Sequence, residues 1–459
     1  MDPLLIGQVL RLRWLLAQRD GWSRTQLRSF QDAALGAMRD FAYARSPFYR
    51  KHHAGLERRP LSELPPVTKA HVMEQFDELA TDPAIRLADV RAHVASLSGD
   101  ERYLGRYRVA ATSGSTGAPG LFLWDSTEWA TVLASYARAM DWAGVGPALI
   151  RRLRLALVSS TRPSYQSARV GLTAESPFVL PLRLDSVRPL SEIVERLNGF
   201  APDVLVAYAS MAELLAEEQV SRRLDIAPRA VFSSSEVLPE AARRRIEAAW
   251  GCSPFNVYAA TETAGIASEC ERHAGLHCYE DLVITEVVDE RNRPVPPGEY
   301  GAKVLVTVLF GRTQPLIRYE MSDSVRLADR ACGCGRPFAL VDEIQGRRED
   351  TMMLPSLDGG VVRVHPNLFH DVLGSAPVAR WQVIQESDAL RVLVQGPRGA
   401  FEHDALTAAL TRAITALGAR APPVRIEVVG SIPKTTIGKT PLVKALSPPQ
   451  DGAPASPRS

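Results

Sequence analysis

The chain has 459 residues, 46% of them hydrophobic and 23% charged, with a formal net charge of +2. That length exceeds one ordinary core and predicts two domains, and the composition is that of a soluble globular protein. Near-neutral charge with dispersed arginines gives no general electrostatic affinity for nucleic acid or an anionic membrane. No run approaches the roughly 18 uninterrupted apolar residues of a membrane span. Arg11 and Arg13 interrupt the apolar stretch near the N-terminus, unlike a signal peptide. Five cysteines, an odd number, argue for a reducing compartment, so the expected location is cytoplasmic.

Residues 4–44 read as helical. Leu5, Val9, Leu12 and Leu16 fall on one face, and Leu27, Phe30, Ala34, Met38 and Phe41 continue the same spacing. Between the apolar segments Val109-Ala110-Ala111 and Leu121-Phe122-Leu123 lies Thr112-Ser113-Gly114-Ser115-Thr116-Gly117-Ala118-Pro119. Glycines let a backbone turn its N–H groups toward an anion, and hydroxyls add donors without charge. This order suits a phosphate loop better than a flexible linker. It is not a Walker A loop, because Ala118 follows Gly117 where that pattern needs lysine.

From residue 107 to 310, short apolar runs alternate with helical stretches. The runs are Leu153–Val158, Val204–Ala207, Ala230–Ser233 and Phe255–Tyr258, with helices over Ser191–Asn198, Met211–Gln219 and Pro239–Trp250 between them. The alternation predicts βαβ units and a mainly parallel sheet. Strands at 282–288 and 303–309, joined through a Pro-rich turn, predict an antiparallel region after it.

Cys270 with His273 and His277, then Cys332 and Cys334, form a loose cluster. Thiolate and imidazole suit tetrahedral zinc, and two half-sites from distant turns are a common way to build a structural centre. His277 and His273 compete for the fourth position; the plainer reading is buried cysteines with surface histidines.

A boundary is expected near Gly346. Beyond it, strands at Trp381–Ile384, Leu390–Val394 and Val424–Val429 and a helix striped by Leu406, Leu410, Ile414 and Leu417 predict a small α+β domain. The predicted class is α/β: a large domain over residues 1–345, a small domain over 346–446, and a disordered tail over 447–459, where prolines replace any apolar period.

Three further motifs follow the loop in order. They are Tyr258-Ala259-Ala260-Thr261-Glu262-Thr263, then Gly311-Arg312-Thr313-Gln314-Pro315-Leu316-Ile317-Arg318-Tyr319 leading to Asp323, then Pro433-Lys434-Thr435-Thr436-Ile437-Gly438-Lys439. The ordered set resembles the adenylate-forming superfamily of acyl- and aryl-CoA ligases. Ser46-Pro47-Phe48-Tyr49-Arg50, Leu64-Pro65-Pro66-Val67-Thr68-Lys69, Glu269-Cys270-Glu271 and Tyr279-Glu280-Asp281 resemble its phenylacetate–CoA ligase branch in particular.

The resemblance implies a large adenylation domain and a small mobile domain. It implies activation of a carboxylic acid by ATP as an acyl-adenylate, with pyrophosphate released, then acyl transfer to a thiol, coenzyme A above all. An amine or a carrier-protein thiol is the alternative acceptor, and a catalytically silent binding relative is a further one. The resemblance also leaves room for a homodimer. By position, Thr112, Ser113, Gly114, Ser115, Thr116 and Gly117 would meet the ATP phosphates. Thr261 would meet the α-phosphate and Glu262 would hold Mg²⁺, which prefers oxygen ligands. Ser235 and Glu236, with Tyr258 and Ala259, would lie by the adenine side. Asp323 would grip the ribose hydroxyls, Arg347 would stand at the hinge, and Lys439 would be the catalytic lysine. Tyr208, Ala259 and the Ser159–Tyr165 segment would neighbour a pocket sized for an aromatic or other compact acid. Some members of this branch carry zinc at such a cluster.

The chain departs from that pattern in two places. Ala118 stands where many relatives carry lysine. Leu357-Asp358-Gly359-Gly360-Val361-Val362-Arg363-Val364-His365-Pro366 keeps little of the stretch that faces the thiol tunnel in phenylacetate–CoA ligases. Adenylation is therefore better supported than transfer to coenzyme A.

Overall fold

A computed structural model describes residues 2–112, 119–146, 151–347, 350–364, 366–374, 376–397, 399, 401–435 and 440–446. The chain divides into two compact units, Met1–Ile344 with Lys434–Lys439, and Gln345–Pro433 with Thr440–Ser459.

In the larger unit a nine-stranded sheet carries the site. From one edge its order is Val179–Asp185, Leu153–Ser159, Val204–Tyr208, Ala230–Ser234, Phe255–Ala260, Ala264–Glu269, Leu276–Cys278, Leu340–Arg347 and Asp323–Leu327. The first five are parallel neighbours, as the βαβ pattern predicts. Pairing turns antiparallel at Phe255–Ala260 and Ala264–Glu269. The expected runs were found; the edge strand Val179–Asp185 was not anticipated, because its exposed edge leaves it only half-buried and Pro181 interrupts its run.

The near-continuous apolar character of the parallel strands has a simple cause. Along Leu153–Ser159, Leu153, Leu155 and Leu157 enter one core with Val204, Phe232 and Val257. Ala156 and Val158 point the other way, into a second core with Leu205, Ala207, Met211 and Ile246. Both faces of the sheet are covered, so alternation of side chains produces no alternation of polarity.

The N-terminal segment is helical but broken, as Pro3–Arg19 and Arg24–Arg45. The apolar stripe hid the break. Ser23 caps the second helix in a reciprocal box with Gln26, a local hydrogen-bond signal that periodicity does not report. Leu5, Leu16, Leu27, Met38 and Ala42 bury their stripe in the main core.

Two smaller antiparallel systems complete this unit: the pair Arg108–Ala111 and Leu121–Trp124, and the three strands Val283–Val288, Lys303–Val308 and Tyr319–Met321. Helix Ser126–Trp142 begins with a capping box between Asp125 and Glu128. The Glu128 carboxylate also accepts from Thr313 N at 2.7 Å and the Thr313 hydroxyl at 2.6 Å. Among the described residues no helix is long and apolar enough to cross a membrane.

The smaller unit has a four-stranded sheet in the order Val424–Val429, Leu390–Pro397, Val378–Gln385 and Val443–Lys444. A hairpin of Met352–Pro355 and Val361–Val364 and the helices Pro366–Leu373 and His403–Ala416 accompany it. Leu406, Leu410 and Ile414 are buried with Val383, Val392 and Phe369. The stripe stops there, and Leu417 is exposed past the helix end. Residues 447–459 lie outside the described residues.

Candidate active site

The parallel strands reverse their order around Leu153–Ser159, whose neighbours are the strands that follow it next and next but one. In open α/β sheets such a reversal opens a crevice at the carboxyl ends of the strands. Tyr208, which ends its strand, crosses this point, and its hydroxyl accepts from Ser160 N at 3.0 Å. Burial pushes the Tyr208 phenol up to about 12. Beside it the Thr161 hydroxyl donates to Asp185 Oδ2 at 2.7 Å. Ser235 follows the next strand with φ at +67°, a left-handed turn, and Glu236 Oε2 accepts from Ser210 N at 2.9 Å. Glu236 thus serves the start of helix Ala209–Val220.

Thr261, Glu262 and Thr263 form the turn between Phe255–Ala260 and Ala264–Glu269, not the start of a helix. The strand register shifts between Tyr258 and Ala259, and Ala264 takes φ of +62°, so the turn is irregular on both sides. Gly265 is obligatory there. A Cβ would lie 2.8 Å from the Tyr279 ring and 3.1 Å from Ser135 Oγ, which accepts the Gly265 N–H at 3.2 Å. The Tyr319 hydroxyl donates to Glu262 Oε1 at 3.2 Å, and the Phe122 ring packs edge-on against Tyr319. On the other side, Gln166 Nε2 donates to the Thr261 carbonyl at 3.1 Å.

Asp323 begins its strand nearly buried and accepts from the Tyr258 hydroxyl at 3.0 Å. Arg318, which directly precedes Tyr319, is turned away. Its buried guanidinium pairs with Glu286 at 3.1 Å and donates to the Ser62 carbonyl at 2.9 Å.

Thr112 and Gly120 close the base of the hydroxyl-rich loop reciprocally. Thr112 N donates to the Gly120 carbonyl at 2.9 Å, and Gly120 N donates to Thr112 Oγ1 at 2.8 Å. Ala111 N donates to Ser164 O at 2.7 Å, which ties this base to the crevice segment. Ser113, Gly114, Ser115, Thr116 and Gly117 lie outside the described residues, as does Lys439. Arg347 ends the strand that begins at Leu340; its side chain also lies outside them.

Away from the crevice, Cys270, His277, Cys332 and Cys334 each offer a donor atom within 4.8 Å of the others. Cys270 Sγ and Cys332 Sγ are 3.8 Å apart, and Cys334 Sγ and His277 Nε2 3.3 Å. Tetrahedral zinc with bonds of about 2.0–2.3 Å needs donor separations of about 3.3–3.8 Å, so the donor set fits that ion. Burial pushes the Cys270 thiol up to about 12. At Cys334 burial acts the same way, but the backbone and side-chain N–H groups of Arg336 outweigh it and hold the thiol below its ordinary value. His273 is not among the four: its Nδ1 lies 3.0 Å from Glu269.

The sequence reading passed over Tyr319, Gln166, Tyr136 and Ser135 as site residues. Tyr319 stood inside a quoted motif and was open to notice; a buried glutamine opening a helix gives no periodic signal.

No protein-family model matches the chain. In sequence it is similar to a phenylacetate-coenzyme A ligase of Thermus thermophilus, 28% identical over 374 residues, covering 79% of this chain and 78% of the relative. It is also 27% identical to the protein CapK of Staphylococcus aureus over 176 residues, 38% of this chain and 37% of that protein. In structure it is similar to 2-hydroxyisobutyryl-CoA ligase in the postadenylation state, with a TM-score of 0.72 and 20% identity. That likeness spans 95% of this chain and 92% of the other. The large mixed α/β fold is therefore that of the acid–CoA ligases that form adenylates.

Proposed function

We propose that the chain is an adenylate-forming ligase of the phenylacetate–CoA ligase-like branch, that it activates a compact carboxylic acid with ATP and that it passes the acyl group to coenzyme A. The observation that carries the reading is the Thr261–Glu262 turn, anchored by Gln166 and Tyr319 beside the crevice. In this reading the acid carboxylate attacks the α-phosphorus and pyrophosphate departs. Thr261 meets the α-phosphate. Mg²⁺, held by Glu262, supplies charge neutralisation at the phosphates. Asp323 takes the ribose hydroxyls: one carboxylate accepts two hydrogen bonds, which suits a cis-diol. Thr112 and the hydroxyls that follow it hold the outer phosphates, Ser235, Glu236, Tyr258 and Ala259 flank the adenine, and Arg347 stands at the hinge. Lys439 offsets charge as the adenylate forms. Tyr208 and Ala259 neighbour the acid. Zinc at Cys270, His277, Cys332 and Cys334 would tie two turns together and take no part in the chemistry.

A second acceptor, an amine or a carrier-protein thiol, is favoured by one observation, the divergence of Leu357–Pro366 from the stretch named above. One experiment tests both. Pyrophosphate release is measured across a panel of carboxylic acids with and without coenzyme A, and products are identified by mass spectrometry. Acid-dependent release with an acyl-CoA product supports the first reading. Release with no thioester points to the second, and no release with any acid removes adenylation.

A further inference from the structure

We propose that Gln166 is a positioning residue for the Thr261–Glu262 turn and that Tyr136 sets its orientation; the proposal rests on the adenylation reading above. Tyr136 lies on helix Ser126–Trp142, and Gln166 opens helix Gln166–Thr173. The Tyr136 hydroxyl donates to Gln166 Oε1 at 2.8 Å, and Gln166 Nε2 donates to the Thr261 carbonyl at 3.1 Å.

The chemistry of the three groups leaves one arrangement. A phenol has a single hydrogen to donate, and burial raises the Tyr136 phenol so that it keeps that hydrogen. Receiving it turns the Gln166 carboxamide oxygen toward Tyr136 and the NH₂ toward Thr261. A backbone carbonyl only accepts, so the side chain between must accept at one end and donate at the other. An amide does both; a carboxylate would set an oxygen against the Thr261 oxygen. Gln166 is itself buried, at 5% exposure, so an unmet end would leave a desolvated polar group.

The consequence reaches Glu262 through one bond. The peptide between Thr261 and Glu262 is planar, so holding the Thr261 oxygen also fixes the Glu262 N–H and Cα. Tyr319 then holds the far end of the Glu262 side chain. The same helix that carries Tyr136 supplies Ser135, which accepts from Gly265 N beyond the turn. A rigid helix thus fixes both flanks of the turn that faces the phosphates.

The test is acid-dependent ATP–pyrophosphate exchange by Gln166→Leu, Gln166→Glu, Tyr136→Phe and the Tyr136→Phe/Gln166→Leu double variant, with Tm measured for each. Gln166→Leu is expected to lower kcat about 10–100-fold, with KM for ATP changed less than about threefold and Tm held within a few degrees. Gln166→Glu, which keeps the shape and loses the donor, should fall with it. Tyr136→Phe should show a smaller loss, and the double variant should be no slower than Gln166→Leu alone, because Tyr136 acts through Gln166. Wild-type kcat in Gln166→Leu, additive losses in the double variant, or losses that follow Tm would overturn the relay. If Gln166→Leu fails to fold, Tyr136→Phe decides: reduced kcat at unchanged Tm supports the relay, and unchanged kcat overturns it. A wild-type chain that exchanges no pyrophosphate with any acid removes the adenylation reading and this proposal with it. An active wild type matched by the variants removes the relay alone.

Discussion

The Tyr258 hydroxyl donates to Asp323 Oδ2 at 3.0 Å, joining two strands through residues 65 apart in sequence. The bond holds the carboxylate in one orientation before any nucleotide arrives. On the hypothesis that Asp323 grips the ribose, Asp323→Asn should raise KM for ATP about thirtyfold or more. Tyr258→Phe should raise it less, about three- to tenfold, because the carboxylate stays and loses only one orienting hydrogen bond. Equal ATP affinity in Asp323→Asn and wild type, by calorimetry, would take the ribose role away from Asp323.

The Glu262 carboxylate accepts from the Tyr319 hydroxyl at 3.2 Å. A carboxylate directly after Thr261, where the resemblance puts the metal ligand, motivates the Mg²⁺ hypothesis. Glu262→Gln should lower adenylation about a hundredfold or more while ATP still binds weakly. Near-normal pyrophosphate release by the variant at limiting Mg²⁺ would remove Glu262 from the metal role.

Lys439 is assigned through the resemblance and lies outside the described residues. Lys439→Ala should slow the reaction from acid and ATP about a hundredfold or more, yet process pre-formed acyl-AMP at close to the normal rate. Equal losses in both half-reactions would falsify the assignment and turn attention to Lys434.

The four donors of Cys270, His277, Cys332 and Cys334 lie within 4.8 Å of one another, with two of their separations, 3.8 and 3.3 Å, in the range a tetrahedral ion needs. Chain purified without a metal-affinity tag should contain about one zinc per chain, by elemental analysis. Cys332→Ser should lose the metal and lower Tm. A metal-free chain of full stability would end the zinc hypothesis.

His53 is 1% exposed, and neither ring nitrogen has a hydrogen-bond partner. Burial, with His52 and Arg39 nearby, lowers its pKa to about 4 from an ordinary value of 6.5. The folded state therefore prefers the neutral ring. Its contribution is present above pH 6.5 and is lost as pH falls toward 4, because the unfolded chain binds the proton first. Unfolding free energies from urea titration at pH 7 and pH 5 should differ by about 1–2 kcal/mol more in wild type than in His53→Phe. The same pH dependence in both chains would show that another group is responsible.

What could be read from the chain divides by the range of the interaction. The parallel strands were legible because burial on both faces leaves runs such as Leu153–Val158 almost free of polar residues. The motifs that contain Thr261–Glu262 and Asp323 stand out in the sequence because each is contiguous; the roles they carry remain proposals. The partners were not legible. Tyr258 meets Asp323, and Gln166 meets Thr261 across 95 residues, and no local spacing encodes either pairing. The break between the first two helices was hidden for the opposite reason: its cap is local, but the apolar stripe runs through it. His273 and His277 could not be separated by spacing; the fold places His277 Nε2 3.3 Å from Cys334 Sγ and His273 Nδ1 3.0 Å from Glu269.

The double commitment of Leu153–Ser159 bears on how this scaffold can change. Five of its side chains divide between two cores, so nearly every substitution within it disturbs packing on one side or the other. Ser159 and the segment that follows it belong to neither apolar cluster and border the crevice. Constraint therefore changes in kind past Val158: the strand is fixed by apolar packing, residues 160–164 by individual hydrogen bonds to Tyr208, Asp185 and Ala111. On the proposed function, a lineage would alter the acid it accepts through residues 159–165 while leaving both apolar cores of the strand before them intact.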